Sequence, residues 1–375
     1  MTPPGGHAFG LDGLRAFAVT SVLLAHGSLF YTTGFPGARY VLVIFGVLGV
    51  EIFFALSGFL VGRQLLLVAE GKATAWRFLV RRWIRTLPNY YLFLAINAAL
   101  VWWVIDRQHP DARFIVFAQE LAWPATSAFF PESWSLAVEE WFYLLAAIAF
   151  AGAASMRASP RALGWGLVAL LCAGPVARWV VQLATQVPID AGVRKMSLLR
   201  LDSLAFGLAA AWLERYRPAS YERAKHAAVV AAGGLLAALG IALLAYWAVD
   251  LTIFDRAQTP IQRILAALLF SALPFSAALF LPFLSTPGDA LAGTRNSPRR
   301  MVTAVSAWSY SIYLVHFPLL LVLLDHWPVA PDRTIMLTAR TAFWLVGTLA
   351  LASLVYDRFE APLLARRPAL LRGKR

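Results

Sequence analysis

Ten apolar runs, each close to or above the length needed to cross a lipid bilayer, limit what this chain can fold into. They lie near 11–30, 41–69, 88–106, 134–156, 163–185, 198–214, 227–250, 260–284, 306–324 and 336–356. About 20 mainly apolar residues cross a hydrocarbon core roughly 30 Å thick, and in lipid a helix satisfies its own backbone hydrogen bonds. The roughly ten-residue alternation of a membrane barrel strand is absent from the sequence. Composition agrees, since 60% of the 375 residues are hydrophobic and 14% charged, with a mean hydropathy of +0.66. The expected fold is all-α, a polytopic transmembrane helical bundle of about ten spans, forming a single domain over residues 1–375.

The net charge of +13 is placed by topology. Of the 33 Lys and Arg residues, 20 fall in segments 70–86, 157–162, 214–226, 285–305 and 357–375, against seven in the alternate loops. Basic residues collect on the cytoplasmic side of membrane proteins, so both termini are expected there and the charge is topogenic. No nucleic-acid partner is expected. The first run has no basic region before it and no small-residue cleavage site, so it reads as a retained helix. Cys172 is the sole cysteine, which excludes an intrachain disulfide.

Ionisable groups at membrane depth cost at least about 2.5–3.5 kcal/mol near a helix centre, so they face the bundle interior and have a task. Arg15 and His26 in the first run are separated by about three turns plus 20°, with a rise of about 16.5 Å, and share a helical face. The second run holds Glu51 and Arg63, the fourth Glu139 and Glu140, the sixth Arg200 and Asp202, and the ninth His316. Arg81 and Arg85 share a face, with Arg82 beside them, at the cytoplasmic entrance to the third run; Pro88 is expected to break the helix there. Three guanidinium groups in that position suit anionic lipid or phosphate.

Further residues fill out these clusters. Ser57 and Gly58 allow a bend or a close helix approach in the long second run. Ser133 or Ser135 can cap the fourth helix, and Glu139 pairs with Tyr143 at i, i+4, with Arg200 or His26 as candidate partners. Arg200 and Asp202 are expected to neutralise charges elsewhere in the bundle. Tyr313 and His316 stand at i, i+3, with Pro318 bending the helix beyond them, and His316 approaches the depth of His26. None of these residues has ligand spacing of the HExxH kind, so no metal is expected.

The segments LDGLRAFAVTSVLLAH, GVEIFFALSGFL, RRWIRTLPNYY, SWSLAVEEWFY, RLDSLAFG, YSIYLVHFP and FEAPLL, in that order, resemble the integral membrane acyltransferase 3 family. The resemblance implies transfer of an acyl group, usually acetyl from acetyl-CoA, to a hydroxyl at or beyond the outer face of a bacterial inner membrane. It implies His26 and Arg15 as the essential pair, Glu139 in the site, and Arg81, Arg82 and Arg85 on the donor side. With no room for a C-terminal esterase-like domain, the chain resembles the stand-alone, sugar-modifying type. Acyl-CoA would be a substrate, with no permanently bound cofactor. The acceptor would be a glycan, a lipid-linked sugar or a secreted metabolite. Direct transfer with His26 as general base is placed ahead of a covalent intermediate on Ser57. Two rival readings are a secondary transporter using Arg15, His26 and Glu139, and a non-enzymatic partner of a polysaccharide export complex.

Overall fold

The structure, a computed structural model, describes residues 8–102, 111–123, 129–185, 187–249, 259–286 and 297–371. Among the described residues there are twelve α-helices and no strand. In chain order the helices are α1 (Phe9–Gly27), α2 (Ala38–Ala69), α3 (Ala75–Leu100), α4 (Trp134–Ser155), α5 (Pro160–Ala184) and α6 (Leu201–Tyr216), then α7 (Pro218–Arg223), α8 (Ala227–Val249), α9 (Pro260–Leu284), α10 (Ser297–His326), α11 (Thr334–Val355) and α12 (Ala361–Leu371). Eight stretches among the described residues are long and apolar enough to cross a membrane, carried by α1, α2, α4, α5, α8, α9, α10 and α11 with α12. The chain is thus an all-α, multi-pass membrane bundle.

The expected third and sixth spans fall outside that set of eight. The helix α3 starts thirteen residues ahead of the expected run and carries Arg77, Arg81, Arg82 and Arg85 in its N-terminal half, which lowers its hydropathy. With 16 residues, α6 extends only about 24 Å. Residues 103–106 of the expected third span and residue 250 of the seventh lie outside the described residues, as do Arg295, Arg372, Lys374 and Arg375 of the basic segments.

The expected break at Pro88 does not occur: α3 runs through it from Ala75 to Leu100. Proline is tolerated in bundled membrane helices because neighbours re-satisfy the freed backbone groups. The Tyr310 hydroxyl of α10 donates to the Thr86 carbonyl at 2.8 Å, within one turn of the Ile84 carbonyl that Pro88 leaves without its i+4 donor, and so ties α3 to α10 beside the proline. The helix α10 likewise continues through Pro318.

The bundle is organised around α2, which packs against α1, α3, α4, α6, α8 and α9. Its contact with α6 is backbone to backbone. A Cβ placed on Gly58 would lie 1.9 Å from the Leu204 carbonyl oxygen, and one on Gly207 would lie 1.9 Å from that of Ala55. Glycine at both positions is what allows helices to approach so closely. Of the two roles expected of Ser57–Gly58, α2 adopts the close approach and remains one helix.

The charges buried in this core are paired. Arg200 donates through Nη2 to both carboxylate oxygens of Glu51, and its guanidinium lies 4.8 Å from the Phe270 ring centre. Arg178 grips Asp202 with two 2.8 Å bonds and donates to the Ala267 carbonyl at 2.9 Å. Unpaired, any of these ions would bear the full cost of leaving water. At one end of the bundle Arg63 bonds Glu214 at 2.7 and 2.6 Å, and Arg215 bonds Glu70 at 2.8 and 2.6 Å. The Arg215 hydrogen bonds hold the Glu70 carboxyl down at about 2.

Candidate active site

Arg15 and His26 both turn toward α10. The Arg15 guanidinium reaches Ser306 at 3.5 Å, and the His26 ring reaches His316 at 2.8 Å. The partners advance ten residues along α10 while α1 advances eleven, so the two helices run parallel with matching rise. Arg15 also has Asp12 at 3.9 Å.

Between these two levels lies a cavity of about 110 Å³. Arg15, Arg82 and Arg85 line one end, and Ser135 and Tyr313 the other. Glu139, Tyr143 and Ser57 line the stretch between them, opposite apolar surface from Val50, Phe53, Phe54 and Leu60. Three guanidinium groups against the single lining carboxylate of Glu139 make the arginine end cationic.

Two hydroxyl relays fix the middle and the far end. The Tyr143 hydroxyl donates to Glu139 at 2.9 Å and accepts from Ser57 at 2.7 Å. The Tyr313 hydroxyl donates to the Glu132 carbonyl at 2.9 Å and accepts from Ser135 at 2.7 Å. Glu139 and Tyr143 thus meet as their i, i+4 spacing requires. The expected partner Arg200 is instead held by Glu51, and the cations facing Glu139 are Arg82 and Arg85. Neither serine caps α4 through its side chain: Ser133 donates to the Phe130 carbonyl at 2.7 Å, and Ser135 faces Tyr313.

Of the three expected donor-side arginines, Arg82 and Arg85 line the cavity and Arg81 is exposed. The inward stripe of α3 is Arg82, Arg85, Thr86 and Asn89, an i, i+3, i+4, i+7 set. Thr86 bonds Glu140 at 2.7 Å and Asn89 bonds Glu360 at 3.0 Å, which fixes the helix rotation and leaves Arg81 outside. Arg82 lies 5.7 Å from the Tyr143 ring centre, with its Nε unbonded.

The hydrogen bonds of the two histidines determine which nitrogens carry protons. His316 Nδ1 lies 3.2 Å from the Ile312 carbonyl, which can only accept, so Nδ1 is the protonated nitrogen of neutral His316. Its Nε2 then holds a lone pair and accepts from His26 Nδ1 at 2.8 Å. His26 in turn must carry its lone pair on Nε2. His316 is further fixed by its carbonyl, which accepts from Trp344 Nε1 at 2.8 Å, and by the Tyr313 ring 5.7 Å away. His26 is partly exposed and is not among the residues lining the cavity; Tyr313, against His316, lies between.

Of the residues expected from the sequence, the structure gathers Arg15, Arg82, Arg85, Glu139, Ser57, Ser135 and Tyr313 around the cavity and leaves His26 and His316 beyond its far end. Glu51, Arg200 and Asp202 belong to the core pairs. Arg178, Tyr310, Glu132 and Glu360 were not singled out. Arg178 carried the same signal as the others, a lone cation within an apolar run.

The family model for the acyltransferase domain matches residues 9–357. YrhL of Bacillus subtilis, named as a candidate peptidoglycan O-acetyltransferase, is 36% identical over 156 residues, covering 36% of this chain and 22% of the relative. BcsY of Komagataeibacter xylinus, named as a candidate membrane-bound transacylase, is 28% identical over 155 residues, covering 36% of this chain and 35% of the relative. The peptidoglycan O-acetyltransferase OatA of Listeria monocytogenes is 29% identical over 161 residues, covering 36% of this chain and 23% of the relative. The matched stretch is thus between about a fifth and a third of each relative's length. No solved structure matches.

Proposed function

This chain belongs to the acyltransferase-domain family, and from that premise we propose that it is an O-acyltransferase of a bacterial inner membrane, with both termini cytoplasmic. It moves an acyl group, acetyl in the first instance, from cytosolic acyl-CoA to a hydroxyl of a glycan or lipid-linked sugar at the outer face. The observation that carries this reading is the His26–His316 hydrogen bond, which leaves a basic nitrogen on His26 beyond the Tyr313 end of a cavity whose other end is cationic.

Each part has a chemical task. Arg82, Arg85 and Arg15 take the phosphates of the polyanionic donor, since guanidinium forks bind phosphate bidentately. The pantetheine arm follows the apolar wall of α2. His26 Nε2 takes the proton of the acceptor hydroxyl as its oxygen attacks the thioester carbon. The C–O bond forms, the C–S bond breaks, and the leaving thiolate recovers the proton from His26. His316 holds the base in the required tautomer and stabilises the imidazolium formed during attack. Direct transfer needs no covalent carrier, and the Ser57 hydroxyl is engaged by Tyr143.

The test uses inner membranes supplied with labelled acetyl-CoA, followed by identification of the glycoconjugate that gains label. Transfer to a glycan that is lost in His26→Ala is the expected result. Absence of any label dependent on His26, with acetyl-CoA or longer acyl-CoA donors, overturns the reading.

A further inference from the structure

Beyond Tyr313, the segment leading into α4 and the turns ahead of α6 form a layer whose buried polar atoms are poorly satisfied. Gln119, Glu120, Glu132 and Ser197 are 1, 7, 4 and 0% exposed. They hold five oxygens without a hydrogen-bond partner: Gln119 Oε1, Glu120 Oε2, both carboxylate oxygens of Glu132, and Ser197 Oγ. Buried polar groups are paired as a rule, so five such oxygens in one layer require explanation.

The layer is continuous. Gln119 Nε2 bonds Ser133 Oγ at 3.2 Å, beside Glu132, and Ser197 N bonds the Glu120 carbonyl at 2.7 Å. Four of the five atoms are carbonyl or carboxylate oxygens, able to accept from whatever fills the layer. Adjacent cations are already committed: Arg194 and Lys195 each bond Asp190 at 2.6 Å. The unbonded buried N–H groups among the described residues belong to Arg82, in the cavity wall, to Arg200, against Glu51, and to Arg340 on α11, and the one unbonded hydroxyl of the layer is that of Ser197.

We propose that this layer is the acceptor subsite, and that Glu132, with Gln119 and Glu120, receives the hydroxyl groups of a neutral sugar residue. A set of acceptors without a free cation suits a ligand rich in O–H donors and disfavours an anion. Its position suits transfer, because the Glu132 carbonyl accepts from Tyr313, whose ring lies against His316, the partner of His26. A sugar held there presents a neighbouring hydroxyl to the basic nitrogen. The inference rests on the proposed function for the reaction, and on the unbonded oxygens for the ligand.

The test uses the full chain in lipid nanodiscs with a labelled pentamer of N-acetylglucosamine as probe. Binding is read by equilibrium dialysis, with acetyl transfer to the pentamer followed in parallel. Glu132→Leu is expected to weaken pentamer binding about tenfold, the loss that follows removal of hydrogen bonds to a buried carboxyl. Its thermal shift with acetyl-CoA stays at the wild-type value, because the arginine end is untouched. Removing an unbonded buried carboxylate also leaves the unfolding midpoint unchanged or raised. If Glu132→Leu does not fold, the near-isosteric Glu132→Gln carries the test with a smaller expected loss. Equal pentamer binding by wild type and variant, or none by wild type, overturns the subsite. Binding lost in the variant while wild type transfers no label upholds the subsite and removes the proposed reaction. Transfer at equal rates in both does the reverse.

Discussion

Substituting Gly58 by alanine should part α2 from α6 at their closest crossing. The new Cβ would meet the Leu204 carbonyl oxygen at 1.9 Å, where contacts under 3.0 Å do not persist, so the α6 backbone must retreat by about 1 Å. A gap of 0.5–1 Å forfeits about a quarter to a half of the dispersion energy of the atom pairs across it, at about 0.1–0.2 kcal/mol per pair. Over a few tens of pairs the loss is about 1–3 kcal/mol, the usual range for overpacking. Reversible unfolding in bicelles, followed by tryptophan fluorescence, should show Gly58→Ala destabilised by that amount. Gly207→Ala opens the same gap against Ala55, so the double variant should lose clearly less than the two single losses combined. The displacement also reaches the cavity, because neighbouring Ser57 lines it and bonds Tyr143. Acetyl transfer should therefore fall in the same variants. An unchanged midpoint for Gly58→Ala, or full additivity of the pair, would refute the reasoning.

Two further outcomes follow from other parts of the bundle. His316→Asn removes the ring nitrogen that fixes the His26 tautomer, so kcat should fall about 100-fold, the equivalent of about 2.7 kcal/mol in the barrier, while KM for acetyl-CoA holds steady; a parallel rise in KM in steady-state kinetics would indicate a wider collapse of the site. Burial pushes the Glu120 carboxyl up to about 7, with Lys195 opposing the shift. The folded state therefore holds that proton to higher pH than the unfolded state, whose carboxyl titrates near 4.5. Stability should fall as pH rises from about 4.5 to 7 and level off above, and Glu120→Gln should flatten this dependence in pH-stepped thermal unfolding.

The fold was legible because lipid leaves the backbone little choice: an apolar run of sufficient length must become a helix. Hydropathy and length single out α3 and α6 less clearly than the other long helices, and their place is secured by partners. Thr86, Asn89 and Tyr310 tie α3 into the bundle despite its arginines, and Gly58 and Gly207 seat the short α6 against α2. The candidate site was legible to the extent that ionisable groups in apolar runs stand out singly. Their pairing was not, because it depends on which helices adjoin and how each is rotated. Arg200 could have met Glu139 by composition, yet the contact between α2 and α6 gives it to Glu51. Arg81 and Arg82 are adjacent in sequence, but only the rotation fixed by Thr86 and Asn89 sends one inward and the other out.

The histidines show the same limit at the scale of one proton. Sequence spacing places His26 and His316 at similar depth, but depth alone does not say which nitrogen of either ring is basic. That is decided by the Ile312 carbonyl, one turn before His316 on α10, acting through one ring on the next. A carbonyl oxygen cannot take up the charge that His26 acquires during attack, as a carboxylate in that place would. The pair should therefore make a weaker base than a histidine–carboxylate couple, suited to an acceptor hydroxyl already positioned for attack. Replacing His316 by a carboxylate would increase the basicity of His26 while leaving an uncompensated charge among Ile312, Tyr313 and Trp344, at a cost of several kcal/mol. A neutral relay is the arrangement that this apolar setting can support without a further cation.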